Sequence, residues 1–181
     1  MSPLQKISRS MVFRKIRKSR SQKPERQFLS YSDINFCLLI WGIGRDEDLE
    51  QLIELENMLK ADGKQVISCC YINAKETSLR AATNRVVFTK KDLSIFGKPS
   101  DTVLNQLKNK PFDVVFDVGR QSSVPLLYIL ANANSTLFCG TDGNPDFDFN
   151  FRIETANYPE TGRKFVLEQF IFYLKKIQPR S

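Results

Sequence analysis

The sequence contains no histidine. That removes the one side chain whose unperturbed pKa lies near neutrality, and with it the commonest metal ligand. Hydrolases that rest on a histidine base are excluded, and so are most catalytic zinc sites. Cysteine is scarce as well. Cys37, Cys69, Cys70 and Cys139 form no C-x-x-C pair, and each falls in an apolar stretch that reads as a strand. A chain with a core of its own does not depend on bridges as small secreted domains do, so four reduced, buried thiols in a cytoplasmic protein are expected. Long apolar runs are also missing. The longest, Phe36 to Ile43 with one glycine inside, is far short of the ~20 residues that span a bilayer, so no transmembrane segment is expected. Arg and Lys interrupt every apolar group through Lys23, which leaves no secretory signal.

Acid is the last shortage, and it is local. Residues 1–27 carry nine basic side chains (Lys6, Arg9, Arg14, Lys15, Arg17, Lys18, Arg20, Lys23 and Arg26) against Glu25 alone. The rest of the chain holds 18 basic and 19 acidic residues, so the formal charge of +7 describes a near-neutral body with a strongly basic leader. At about 150 residues per domain, 181 residues read as a leader over 1–30 and one α/β domain over 31–181. With 41% hydrophobic and 11% aromatic residues, that body has enough apolar surface for a real core.

Residues 34–41 (INFCLLIW) form a continuous apolar run, the mark of a strand covered on both faces, ended by Gly42 and Gly44. Leu49, Leu52, Ile53, Leu55, Met58 and Leu59 then recur at helical spacing up to about Ala61, where Gly63 stops the helix. Further strands are expected at 65–72, 85–89, 112–118 and 135–140, with a possible sixth at 151–155. Helices are expected after a cap at Ser100 or Asp101, through Ala133 after a turn at Gly119 with Pro125 in the first turn, and over 160–177 with Phe165, Val166, Phe170, Ile171 and Leu174 on the buried side. The alternation indicates a single doubly wound, mostly parallel Rossmann-like sheet of five or six strands, with a basic N-terminal helical extension.

In such sheets ligands bind beyond the carboxyl ends of the strands. The first such loop, WGIGRDED, has Glu47 where the phosphate fingerprint needs glycine, and its three acids suit a helix start better than a pyrophosphate. Asp142, Asn144, Asp146 and Asp148 alternate as ligands do in a calcium loop. Phe147 and Ile153, however, stand where that loop needs Gly and a bidentate Glu, so a solvated loop without metal or cofactor is expected. Asp117, at the carboxyl end of the fourth strand, is the one weak catalytic candidate: a buried general base, or an acceptor for the neighbouring loop amides. Ser122 and Ser123 lack the nucleophile elbow.

The leader makes the stronger argument. Its nine cations, interleaved with Leu4, Ile7, Met11, Val12, Phe13 and Ile16, outnumber what a near-neutral body can neutralise, so they call for outside anions. RNA or the ribosome is the expected partner and an anionic membrane surface the alternative. A non-enzymatic docking protein is therefore the leading expectation. The competing one is a glycosyltransferase-like or metal-dependent enzyme using Asp117 and the Asp142–Asp148 loop.

The segment FTKKDLSIFGKP (Phe88 to Pro99) and the stretch FDVVFDVGRQSSVPLLYILANANSTLFCG (Phe112 to Gly140), with the basic leader and the interior strand, resemble domain-of-unknown-function family 6913. That resemblance implies a small bacterial cytoplasmic protein, of a kind known mainly from Bacteroidota, rather than an organelle-targeted one, and it brings no activity. The Phe112–Gly140 stretch is similar, more weakly, to the amino-terminal Rossmann-like half of heptosyltransferase-type glycosyltransferases. Those enzymes hold their nucleotide-sugar donor mainly in a second half.

Overall fold

The computed structural model describes residues 7, 10–14, 29–43, 49–119, 122–155 and 162–178. Residues 7 and 10–14 are helical and are labelled α1. The elements that follow are β1 (Phe36–Ile43), α2 (Leu49–Ala61), β2 (Gln65–Ile72), β3 (Arg85–Thr89), α3 (Asp101–Lys108), β4 (Pro111–Asp117), α4 (Val124–Asn132), β5 (Asn134–Thr141), β6 (Phe151–Ile153) and α5 (Arg163–Lys176). Six strands make one sheet in the order β3-β2-β1-β4-β5-β6, and every neighbouring pair is parallel. This is the Rossmann-like α/β architecture, with the strand order reversing between β1 and β4.

The continuous apolar run of β1 has its reason in the two layers. Cys37, Leu39 and Trp41 enter the cluster under α2 and α5, while Leu38 and Ile40 enter the cluster under α3 and α4. A strand buried on both faces has no polar side to alternate with. The strand does not end at Gly42, as the turn-forming reputation of glycine suggests. Gly42 stays in the ladder opposite Tyr71, and a Cβ there would lie 3.3 Å from a methyl of Leu126. It is glycine because α4 packs close over it.

Local chemistry sets the helix ends. Gly63 takes φ +77°, and the N–H groups of Gly63 and Lys64 return to the carbonyls of Lys60 and Leu59, closing α2. Ser100 caps α3, its hydroxyl accepting from the Val103 N–H. The buried stripe of α5 is Val166, Leu167, Phe170, Ile171 and Leu174. Phe165, expected inside, is 47% exposed. At about 3.6 residues per turn it falls nearly opposite the centre of that stripe, beside Phe172, and hydrophobicity alone had placed it on the wrong side.

Helix α4 is buried on every side from Pro125 to Ala131. Such a helix needs an outer cover as well as a sheet beneath it. Val12 of α1 is fully buried in the same cluster, and Phe13 packs against it, so this part of the leader contributes to the core of the body. All four cysteines are buried free thiols, and burial pushes Cys37 and Cys70 up to about 12, which leaves them unreactive. Among the described residues, no helix is long and apolar enough to cross a membrane.

Candidate functional site at the strand-order reversal

Where β1 and β4 part company, the chain places Asp117. Its neighbours Phe116 and Val118 turn to the α2/α5 layer, so the alternation of β4 sends Asp117 towards α4. The carboxylate is 2% exposed. One oxygen accepts from the Gly119 N–H at 2.9 Å, and the other from Nδ2 of Asn144 at 2.9 Å. Burial pushes the carboxyl up to about 6, and the bonds from Asn144 and Gly119 only partly hold it down. Both donors are neutral. None of the ion pairs among the described residues includes Asp117.

The loops that follow β4 and β5 are stitched together around this acid. Ser122 donates its backbone N–H to the Gly143 carbonyl at 3.0 Å and its hydroxyl to Asp146 at 2.7 Å. Thr141 donates to the Gly119 carbonyl at 3.1 Å. Asn144, also 2% exposed, spends its amide nitrogen on Asp117, and its amide oxygen is buried without a partner. Ser123 stands at the start of α4 but caps nothing with its side chain, and its buried hydroxyl is likewise unpartnered. On the opposite face of the sheet, the Arg163 guanidinium lies 4.5 Å above the fully buried Trp41 ring and donates to the Gly42 carbonyl at 3.2 Å.

The chain belongs to the family of unknown function DUF6913. The family model matches residues 6–177, a span that takes in every element from α1 to α5. No curated protein and no solved structure matches the chain. In this member of DUF6913, the alternating acids after β5 do not converge. Asp142 accepts from the backbone and hydroxyl of Thr155, at 2.8 and 2.6 Å; Asn144 turns to Asp117, Asp146 to Ser122, and Asp148 is exposed. Among the described residues, no group of three or more acidic or cysteine side chains is placed to hold a metal ion.

Of the leader residues, Arg14 is exposed on α1. Lys6, Arg9, Lys15, Arg17, Lys18, Arg20, Lys23 and Arg26 lie outside the described residues. Sequence reasoning singled out Asp117 and grouped Asn144 with the metal-like acids. It missed Asn144 as the donor to Asp117, because a bond across 27 residues leaves no local pattern. It also missed the buried pair of Glu56 and Arg85, whose two bonds measure 2.9 and 2.6 Å. A clue was present: Glu56 sits between Leu52 and Leu59 on the stripe of α2 that faces the core.

Proposed function

We propose that the protein docks on RNA, free or in the ribosome, through its basic leader, in the cytoplasm of a bacterial cell. The observation that carries the reading is the seating of the leader. Val12 is buried in the core of the body while Arg14, two residues on, faces solvent, so the leader is tied to the body at α1. Nine cations beside one acid cannot be balanced by a body with a net charge near zero. Phosphate backbones supply the missing charge, and release of their counterions drives the association.

The test leaves the anchor intact. Lys15, Arg17, Lys18 and Arg20 are replaced together by Gln in the full-length chain, and RNA binding is followed from low to high salt. With about 0.7 unit of salt slope per phosphate on a single strand, the quadruple variant loses roughly 3 units of slope relative to the parent. An unchanged slope, or capture by anionic vesicles without capture by RNA, overturns the reading. Deleting residues 1–27 is the poorer experiment, because it strips Val12 from the core as well as the charge from the leader.

A further inference from the structure

The chain leaves the leader beside the C-terminal end of α5. Leu29, three residues after Arg26, packs against the cluster under α2 and α5. Tyr31 follows it, with Lys175 Nζ of α5 5.0 Å from its ring centroid and its hydroxyl donating to Asp62 at 2.9 Å. The last turns of α5 leave aromatic rings in solvent. Phe172 and Tyr173 are half exposed, their ring centroids 5.2 Å apart at 81°. Lys176 Nζ stands 5.4 Å from the Phe172 ring centroid and enters none of the ion pairs among the described residues. Phe165 continues the same outer stripe two turns, about 10 Å, towards the helix start.

We propose that this end of α5 is a stacking platform for the bases of single-stranded RNA whose phosphates the leader holds. The inference rests on the RNA reading of the leader and narrows it from RNA in general to RNA with unpaired bases. The chemistry of the patch selects the occupant. Aromatic faces interleaved with lysines suit a polyanion that carries flat rings, and every base has such a face whatever its identity. A duplex keeps its bases stacked on one another and offers none. Arg163, Lys164, Lys175 and Lys176 outnumber Glu168 on the helix, so its charge complements phosphate. A second copy of the chain fits poorly. Antiparallel pairing of α5 with its copy sets Lys175 and Lys176 against Arg163 and Lys164, and parallel pairing sets each basic end against itself. Glu168 and Gln169 interrupt the rings, so the face offers a bilayer no continuous apolar strip.

Titration of the full-length protein with oligouridine, and with inorganic polyphosphate as the polyanion without bases, tests the platform. Phe172→Ala weakens oligouridine by about tenfold. It leaves polyphosphate affinity and the salt slope unchanged, because no phosphate contact is lost. Phe172→Leu, which keeps apolar area without a ring, behaves like the alanine variant. Phe172→Trp restores binding, and oligouridine quenches its fluorescence above the constant background of the fully buried Trp41. Ile95→Ala, at an exposed apolar side chain on another loop, leaves oligouridine binding unchanged. Full affinity of Phe172→Ala for oligouridine, or an equal loss for oligouridine and polyphosphate, overturns the platform and leaves the leader reading standing. No binding of oligouridine by the wild type at low salt overturns both. Quenching of Phe172→Trp by phosphatidylglycerol vesicles but not by oligouridine assigns the face to a bilayer, and a wild-type dimer that Phe172→Ala dissociates assigns it to a second copy; either overturns the proposal.

Discussion

Two carboxylates of this protein are buried to the same degree and treated in opposite ways. Glu56, on α2, and Asp117, at the end of β4, are each 2% exposed. Glu56 meets the guanidinium of Arg85 through both oxygens and has Lys60 at 3.6 Å. Asp117 meets one amide and one backbone N–H. The first arrangement ties α2 to β3 and satisfies the charge it buries. The second leaves a charge at the place where doubly wound sheets bind their ligands. The same molecule thus holds one buried acid neutralised by a guanidinium and one without a cation among the described ion pairs.

The largest expected effect breaks the satisfied pair. Arg85→Met leaves Glu56 buried without its bidentate partner and costs about 3–5 kcal/mol of stability in chemical denaturation. A loss below about 1 kcal/mol would show that Lys60 and water replace the guanidinium. Next comes Asp117→Asn, which acts in the opposite direction. Removing a carboxylate whose pKa stands about two units above its usual value stabilises the protein by up to ~3 kcal/mol at pH 7, and a destabilised variant would mean that the charge is compensated.

Wild-type stability carries the same signature in its pH dependence. The folded carboxyl keeps its proton up to about pH 6, while the unfolded one releases it near pH 3.8. Between those values the folded state binds more protons, so this group's contribution falls as pH rises through the window, with the penalty complete above pH 6. Denaturation midpoints of wild type and Asp117→Asn measured across that window should converge at its acid end. Parallel curves would contradict the assignment. The smallest effect sharpens the comparison from the paired side: Lys60→Met, at a side chain 43% exposed, changes stability by about 0.5 kcal/mol or less, since Arg85 alone holds Glu56.

Much of the scaffold was legible in advance for a plain reason. Strand β2 and helix α2 are bounded where the apolar run and the helical spacing begin and end, and Gly63 and Ser100 act through their own backbone neighbourhoods. Such features depend on residues a few positions away. Gly42 and Phe165 were misread because their environments come from α4 and from the rotation of α5 against the sheet, neither of which is local. At the candidate site Asp117 was visible as an acid at a strand end, but its bond from Asn144 was not.

By itself the sequence determined the alternation of strands and helices, the absence of histidine chemistry, and the segregation of positive charge into the first 27 residues, because periodicity and composition are properties of the chain before it folds. Tertiary structure alone decided that Val12 belongs to the core, that Glu56 has an ion-pair partner and Asp117 has none among the described ion pairs, and that Asp142, Asn144 and Asp146 meet Thr155, Asp117 and Ser122. Burial and electrostatic pairing depend on which distant residues share a small volume with little water, and only the packing of six parallel strands between two helical layers sets that.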